Sequence, residues 1–186
     1  DGLSTRITKK MLNLPDPKPK IIDVPMDSLQ TKIYNAIEAK AIEELQSESL
    51  AEHAKMAGFR GDRGGKIIRM LQAASNPELL TKRDSEFDLN STKSLIDGET
   101  SELIENYHKY GHIPHKLMEV CKKAAEIAAS GEKVVIFCSF LWNIKTMQEQ
   151  LLKHNVSEGE VLKIDGSIPK DDEEDEQYNR EKVIKA

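Results

Sequence analysis

The sequence predicts an α/β fold in which helices flank a parallel sheet and the N-terminal part is rich in helix. Residues 133–138 are a short apolar run, rich in β-branched residues, that is typical of a strand buried on both faces. From Leu141 the period changes to that of one helical face, formed by Ile144, Met147, Leu151 and Leu152. Residues 161–165 then indicate a second strand. A strand, a crossover helix and a strand predict a right-handed βαβ unit.

The two predicted strands also indicate a candidate site. In open parallel sheets, ligands bind beyond the carboxyl ends of the strands. Those ends are Ser139 and Phe140 after the first strand, and Asp165, Gly166 and Ser167 after the second. We therefore take these five residues as the candidate site.

The composition restricts the class of protein. The chain has 186 residues, which is enough for one domain, or for one domain with an appended helical segment. Charged residues make up 32% and aromatic residues 5%, a balance that favours helix. The net charge of −5 argues against a broad polyanion-binding surface but is compatible with a local basic groove.

Cysteine usage and apolar runs bear on the compartment. Cys121 lies on a predicted helical face and Cys138 in a predicted strand, so we expect both in the core rather than in a disulfide. No apolar run approaches the roughly 20 residues of a membrane span. The first residues lack the character of a secretory signal. We expect a cytoplasmic protein, or a nuclear one if the source is eukaryotic, with no membrane partner.

The N-terminal part begins with an extended connector, residues 1–20, in which three closely spaced prolines exclude a helix. Residues 21–24 are a brief strand candidate. Asp27 or Ser28 then offers a cap for a helix that reaches about Gln46. The apolar stripe of this helix consists of Leu29, Ile33, Ile37, Ala41 and Leu45.

The glycine-rich stretch from Gly58 to Lys66 is similar to a phosphate-binding loop but lacks three of its requirements. Arg60 stands where such a loop has its first glycine. Ile67 stands where such a loop has the Ser or Thr that holds magnesium, and no apolar strand precedes the stretch. The reading we favour is a flexible loop whose basic side chains, Lys66 among them, lie in solvent. A short helix from Ile67 to Ala74 follows and ends at Ser75-Asn76-Pro77.

Residues 81–112 are polar and irregular except for a predicted helix from Ser101 to Tyr110. Three histidines and one cysteine in and after this region are candidate metal ligands: His108, His112, His115 and Cys121. Gly111 and Pro114 break the helical register that would align the imidazoles, and no fourth ligand has a familiar spacing. Solvated histidines are therefore the favoured reading, with the metal site as the alternative.

The C-terminal part begins with a helix from His115 to Ser130 that Gly131 closes in a left-handed conformation. Its predicted apolar face consists of Leu117, Val120, Cys121, Ala124, Ile127 and Ala128. The acidic run 171–176 is predicted to be a solvated loop, with a metal-binding cluster as the alternative. A final helix starts near Gln177 and has no stop signal before the end of the sequence, so we expect that the chain is cut.

A series of segments in a fixed order carries a resemblance to a known family. They are Thr5 to Lys9 before a Leu-Pro pair; Ile21 to Val24 with Leu29, Gln30 and Tyr34; Ile67 to Gln72 before Ser75-Asn76-Pro77; His115 to Leu117; Lys133 to Phe140; and Ile164 to Ser167 with Arg180, Val183 and Ile184. Together they resemble the second RecA-like lobe of Swi/Snf-type DNA-dependent ATPases of helicase superfamily two. Lys133 to Phe140 matches helicase motif IV. The family has Asn-His-Pro where this chain has Asn76-Pro77.

The resemblance implies a partial RecA-like lobe in three parts. Residues 1–20 would be a connector, residues 21–114 a helical part with an irregular polar loop, and residues 115–186 a βαβ core that stops before motifs V and VI. It implies that the intact enzyme uses ATP and magnesium, and that this chain alone binds neither. We expect the parent protein to be an ATP hydrolase and this chain to be incompetent by itself, since the Walker loop and the arginine fingers of motif VI are missing.

In this family the loops after the two strands lie against the DNA backbone. The resemblance therefore implies that Ser139, Phe140, Asp165, Gly166 and Ser167 bind double-stranded DNA. A hydroxyl, amides at a helix start and a glycine suit phosphate oxygens without net positive charge. No catalytic residue is implied. The first RecA-like lobe of the same protein is a second expected partner, and an uncovered sheet edge predicts self-association.

Two alternatives remain open at this point. One is a noncatalytic protein-interaction module derived from a helicase lobe, which would bind a partner through its acidic loop and long helix. The other is a lobe of another superfamily-two helicase, such as a restriction or RNA helicase. Walker motifs upstream and an arginine-rich motif VI downstream would favour the DNA translocase.

Overall fold

The computed structural model describes residues 18–52, 61–81, 95–157 and 161–166. Its helices are α1 (Ser28–Glu52), α2 (Gly61–Ser75), a 3-10 helix (Pro77–Leu80), α3 (Gly98–Lys109), α4 (His115–Ala129) and α5 (Leu141–Lys153). Several predictions lie outside the described residues: most of the connector, residues 82–94 of the irregular polar loop, Ser167 of the candidate site, the acidic run 171–176 and the final helix from Gln177.

The predicted α/β fold with a parallel sheet, and with it the partial RecA-like lobe, is wrong for the described part of the chain, which is helical and contains no strand. The predicted strands 21–24, 133–138 and 161–165 have no regular secondary structure. An apolar, β-branched run favours an extended backbone, but a strand exists only when a neighbouring segment takes its N–H and C=O groups. No segment in the described ranges forms such a ladder with any of the three.

Residues 133–138 have one side in contact with the protein core. Ile136 and Cys138 pack against the apolar cluster between α4 and α5. Val135 and Phe137, by contrast, are 76% and 92% exposed. The run therefore has one buried side and one open side, instead of the two buried faces that its apolar composition predicted.

Helices α1, α2 and α3 pack around one apolar cluster, and the 3-10 helix contacts α2 and α3. The α1 stripe predicted from the sequence supplies three fully buried members, so that prediction is confirmed for the centre of the helix. The buried members of the cluster are Ile33, Ile37, Ala41, Ala73, Leu80, Leu95, Ile104 and Tyr107. We call α1, α2, α3 and the 3-10 helix together the three-helix bundle.

The start of α1 is fixed by the predicted cap. One carboxylate oxygen of Asp27 accepts from the backbone N–H groups two and three residues further on, at 2.9 and 2.8 Å. Its other oxygen accepts from the Tyr107 hydroxyl at 2.9 Å, which ties α3 to the start of α1. The buried Gln30 donates to the carbonyls of Ala73 and Ala74 at 3.0 and 3.1 Å, which ties α1 to the last turn of α2.

Helix α2 begins earlier than the sequence predicted. Residues from Gly61 onward are helical, so the predicted flexible loop is wrong for this part of the stretch. Lys66 is only 1% exposed, and its Nζ lies 3.4 Å from a carboxylate oxygen of Glu44 on α1. The buried Gln72 accepts from Arg69 at 3.2 Å. Polar residues of α2 therefore face the bundle, whereas the sequence predicted that Lys66 lies in solvent.

Helix α3 confirms the predicted helix from Ser101 to Tyr110 and starts three residues earlier, at Gly98. Asp97 caps it by accepting from the backbone N–H of Thr100 at 2.7 Å. Lys40 of α1 forms an ion pair with the same carboxylate. The hydrogen bond from Lys40, followed by that from Thr100, holds the pKa of Asp97 well below its usual range.

Helices α4 and α5 pack on each other around a second apolar cluster, formed by Leu117, Cys121, Ala124, Met147 and Leu151. Both predicted helices are confirmed, as is the left-handed Gly131, whose φ is +83°. The predicted apolar faces are wrong at three positions, because Ile127 and Ala128 on α4 and Leu152 on α5 are exposed. Cys121 is buried and free, and burial raises the pKa of its thiol to about 11.

Candidate nucleic-acid interface

Ser139 and Phe140 lie immediately before the first turn of α5. Phe140 is the N-cap residue, with extended backbone angles of −133° and 129°, and its ring is 8% exposed. Its carbonyl accepts from the backbone N–H of Asn143 at 3.1 Å. Ser139 is exposed. The predicted site therefore has an exposed hydroxyl beside the positive end of a helix dipole, which is the end that attracts anions.

The second half of the predicted site is only partly described. Asp165 lies 2.7 Å from the Nζ of Lys163, so its negative charge has a cation beside it. Gly166 is exposed, and a Cβ built on it would meet no atom within 4 Å. Ser167 lies outside the described residues. The cation next to Asp165 is a feature that the sequence analysis did not single out.

The structure brings the two halves of the site to the same apolar cluster. Ile136, three residues before Ser139, and Val161, five residues before Gly166, both pack against the cluster between α4 and α5. A surface cleft of about 190 Å³ lies between α5 and the second segment, and its lining includes Lys145 and Val161. The two segments thus share contacts with one apolar cluster, although no sheet joins them in the described residues.

A buried polar network at the start of α5 was not predicted. Asn76 is 1% exposed and Asn143 is 3% exposed. The side-chain amide of Asn76 donates to the amide oxygen of Asn143 at 3.1 Å, and its own oxygen accepts from the backbone N–H of Glu78 at 3.1 Å. Asn143 donates in turn to the Ser75 hydroxyl at 2.7 Å. These bonds join the end of α2 to the first turn of α5.

Glu78 extends this network to the surface. One of its carboxylate oxygens accepts from the indole N–H of Trp142 at 2.7 Å. The other pairs with the Nδ1 of His108 on α3. The ammonium of Lys145 lies 4.7 Å from the centre of the Trp142 ring, a cation–π contact. We call Ser75, Asn76, Glu78, Trp142 and Asn143 the polar joint.

The sequence carried one signal for the polar joint. The Asn before a Pro at the end of a helix predicts a helix stop and forms part of the family resemblance, but it does not indicate a buried amide. The partner Asn143 stands 67 positions further along the chain. Nothing in its local pattern marks a polar helical residue as buried, so the pairing could not be predicted.

The histidines considered as metal ligands have separate surroundings. His108 pairs with Glu78, His112 stacks on Tyr107 with ring centres 5.1 Å apart, and His115 lies 3.2 Å from the carbonyl of Pro25. Within the described ranges no three His, Cys, Asp or Glu side chains are grouped so that they could hold a metal ion. None of the described helices is long and apolar enough to cross a membrane.

Comparison with known proteins adds no relative. No protein-family model matches the chain, and no curated protein or solved structure is similar to it at a significant level.

Proposed function

We propose that this chain is part of an ATP-dependent translocase that acts on double-stranded DNA and remodels chromatin or other protein–DNA complexes. Its part is to contact the DNA backbone. One observation carries the proposal: the motif IV-like stretch ends in an exposed Ser139 directly before the first turn of α5. The order of the remaining family-like segments supports it. A helix start with a hydroxyl beside it is sufficient for this contact, so the proposal does not depend on a sheet.

The charges around the start of α5 fit a phosphate contact. Lys145 is exposed, one turn into the helix, and lies against Trp142. Lys163 stands next to Asp165 near the second half of the site. Contacts of this kind neutralise phosphates without reading bases, so the affinity should depend on salt and little on DNA sequence.

The first prediction concerns these contacts in the 186-residue chain. Ser139→Ala should weaken binding to duplex DNA about fivefold, the effect of one hydrogen bond of about 1 kcal/mol. Lys145→Ala should also weaken binding, and it should make the negative slope of log affinity against log salt less steep by about 1. Fluorescence anisotropy of a labelled duplex at several salt concentrations measures both. Lys153→Ala is the matched control, because it removes the same charge from the opposite end of α5.

Gly166→Val gives the same experiment a second arm. Because no atom of the described residues, its chain neighbours aside, lies within 4 Å of the Cβ position, the substitution has room in the described part of the chain. A loss of DNA affinity would then report close approach of the backbone at Gly166. Gly98→Val is its control, since that Cβ position is equally open and lies at the start of α3. Equal losses in Lys145→Ala and Lys153→Ala, with no effect of Ser139→Ala or Gly166→Val, would contradict the proposed contact.

A second prediction concerns catalysis. The chain is expected to show no ATP hydrolysis with magnesium, whether duplex DNA is present or absent, because it carries neither a Walker loop nor motif VI. Phosphate release by purified protein measures this. ATP turnover that persists through further purification would contradict the proposal that the catalytic residues lie in another part of the parent enzyme.

A noncatalytic interaction module is the second candidate function. The open side of residues 133–138, with Val135 and Phe137 exposed at 76% and 92%, favours it. Exposed apolar side chains this close together are typical of surfaces that contact another protein. The DNA titration separates the two candidates: an unmodified chain that does not bind duplex DNA at low salt supports the module, and salt-dependent binding that Ser139→Ala weakens supports the translocase.

A further inference from the structure

The described part of the chain has two apolar clusters, and the contacts between them at the start of α5 are polar. One cluster lies within the three-helix bundle and the other between α4 and α5. The polar joint connects them through three side-chain hydrogen bonds: Asn76 to Asn143, Asn143 to Ser75, and Trp142 to Glu78. Every one of these bonds has its α5 partner in the first turn of that helix, within four residues of Ser139.

We infer that Asn76 and Glu78 are positioning residues for the first turn of α5, and that they fix its direction relative to the three-helix bundle. The consequence for DNA rests on the proposed function: Ser139 would meet a phosphate in an orientation that the bundle determines. The structural part of the inference does not depend on DNA.

The geometry of the polar joint supports one orientation over others. Apolar surfaces can slide over each other at little cost, whereas each donor in the polar joint meets one acceptor at a fixed distance and angle. Asn76 and Asn143 are almost fully buried, so a rotated α5 would break the hydrogen bonds of the Asn76 amide nitrogen and of the Asn143 side chain at a place with little access to water. A single docking angle therefore satisfies all three bonds.

Glu78 has the central place because it belongs to the bundle side and reaches two other elements. Its backbone N–H is held by Asn76, its carboxylate accepts from Trp142 on α5, and its second oxygen pairs with His108 on α3. Removing the carboxylate breaks the contacts to α3 and α5 at once and leaves the apolar clusters untouched. This makes Glu78 the residue with which to test the inference.

Trp142 is the single tryptophan of the chain, so emission excited at wavelengths that tyrosine does not absorb reports on the polar joint. In Glu78→Ala the indole should lose its acceptor, and its emission should shift to longer wavelength with stronger quenching by acrylamide. Glu78→Gln keeps a carbonyl acceptor and should restore the emission of the unmodified chain. Glu78→Asp keeps the charge but is one methylene too short, and should behave like Glu78→Ala. It replaces Glu78→Ala in the experiment if circular dichroism shows that the alanine variant does not fold. Glu126→Ala, an exposed change on α4, is the control.

DNA affinity is the second measurement on the same variants. Glu78→Ala should weaken duplex binding about as much as Ser139→Ala, and the double variant should be little weaker than either single one, because both act on one contact. Emission and quenching unchanged in both Glu78→Ala and Glu78→Asp would overturn the inference, whatever the DNA result. If the unmodified chain binds no DNA, the proposed function fails, and the shift in Trp142 emission still supports or overturns the positioning role.

Discussion

Replacing Tyr107 with alanine is expected to lower the free energy of unfolding of the three-helix bundle by about 3–5 kcal/mol, the cost of deleting a fully buried aromatic side chain. Tyr107 is 0% exposed and lies in the apolar cluster of the bundle. Its hydroxyl also donates to Asp27, the cap of α1, so the variant loses both core volume and the bond between α3 and the start of α1. Urea unfolding followed by circular dichroism measures the change.

Two further variants separate these contributions. Tyr107→Phe keeps the ring and should cost about 1 kcal/mol, the typical value of one hydrogen bond. Tyr110→Ala, three residues on and 68% exposed, should change the stability by less than about 0.5 kcal/mol. Equal effects of Tyr107→Ala and Tyr110→Ala would show that the cluster does not determine the stability of the bundle.

The pH dependence of stability gives an independent check on Tyr107. Burial first, and then the hydrogen bond to Asp27, raise the pKa of Tyr107 above its usual value. A raised pKa in the folded state means that the neutral hydroxyl is favoured, so the stability it contributes is complete below the unfolded pKa of about 10 and is lost as the pH rises further. Tyr107→Phe should remove this part of the alkaline loss.

The helices could be predicted where periodic apolar residues and end signals agreed. Apolar spacing predicted both α4 and α5, and Gly131 predicted the end of α4; both helices are observed, with the left-handed Gly131 after α4. The start of α2 was missed because its glycines favour a loop and because Lys66, which the sequence assigned to solvent, is buried. Sequence patterns assign such residues to solvent, and only the position of α1 shows that they are covered.

The strand predictions are wrong for a different reason. An apolar, β-branched run such as residues 133–138 predicts what the backbone and side chains prefer locally, whereas a strand is a property of two segments. The same distinction applies to the candidate site. The place of Ser139 before a helix follows from the local change of period, but the contacts of Asn143 with Ser75 and Asn76 depend on how distant elements dock.

Leu117→Ala is expected to destabilise the packing of α4 on α5 by about 2–5 kcal/mol, since it leaves a cavity in a small cluster. Leu117 is 5% exposed and shares that cluster with the buried Cys121. The raised pKa of about 11 keeps the Cys121 thiol protonated and unreactive near neutral pH while the cluster is intact. The rate of Cys121 alkylation, followed by peptide mass spectrometry, should therefore rise strongly in this variant.

The neighbouring residue provides the control for this experiment. Met118→Ala truncates a side chain of similar size that is 45% exposed, and it should leave the alkylation rate of Cys121 nearly unchanged. If Leu117→Ala and Met118→Ala accelerate alkylation equally, the cluster does not protect the thiol. Tyr107→Ala should affect Cys121 less than Leu117→Ala does, because Tyr107 belongs to the other cluster.

The division of the apolar residues into two clusters has a consequence for cooperativity. Each cluster can lose its packing by a subglobal opening while the other persists, which is the behaviour of separate foldons. The polar joint couples the two openings, since its buried amides lose hydrogen bonds when the two sides separate. These hydrogen bonds add to the cost of a half-open state and so favour unfolding of the described part of the chain as one two-state unit.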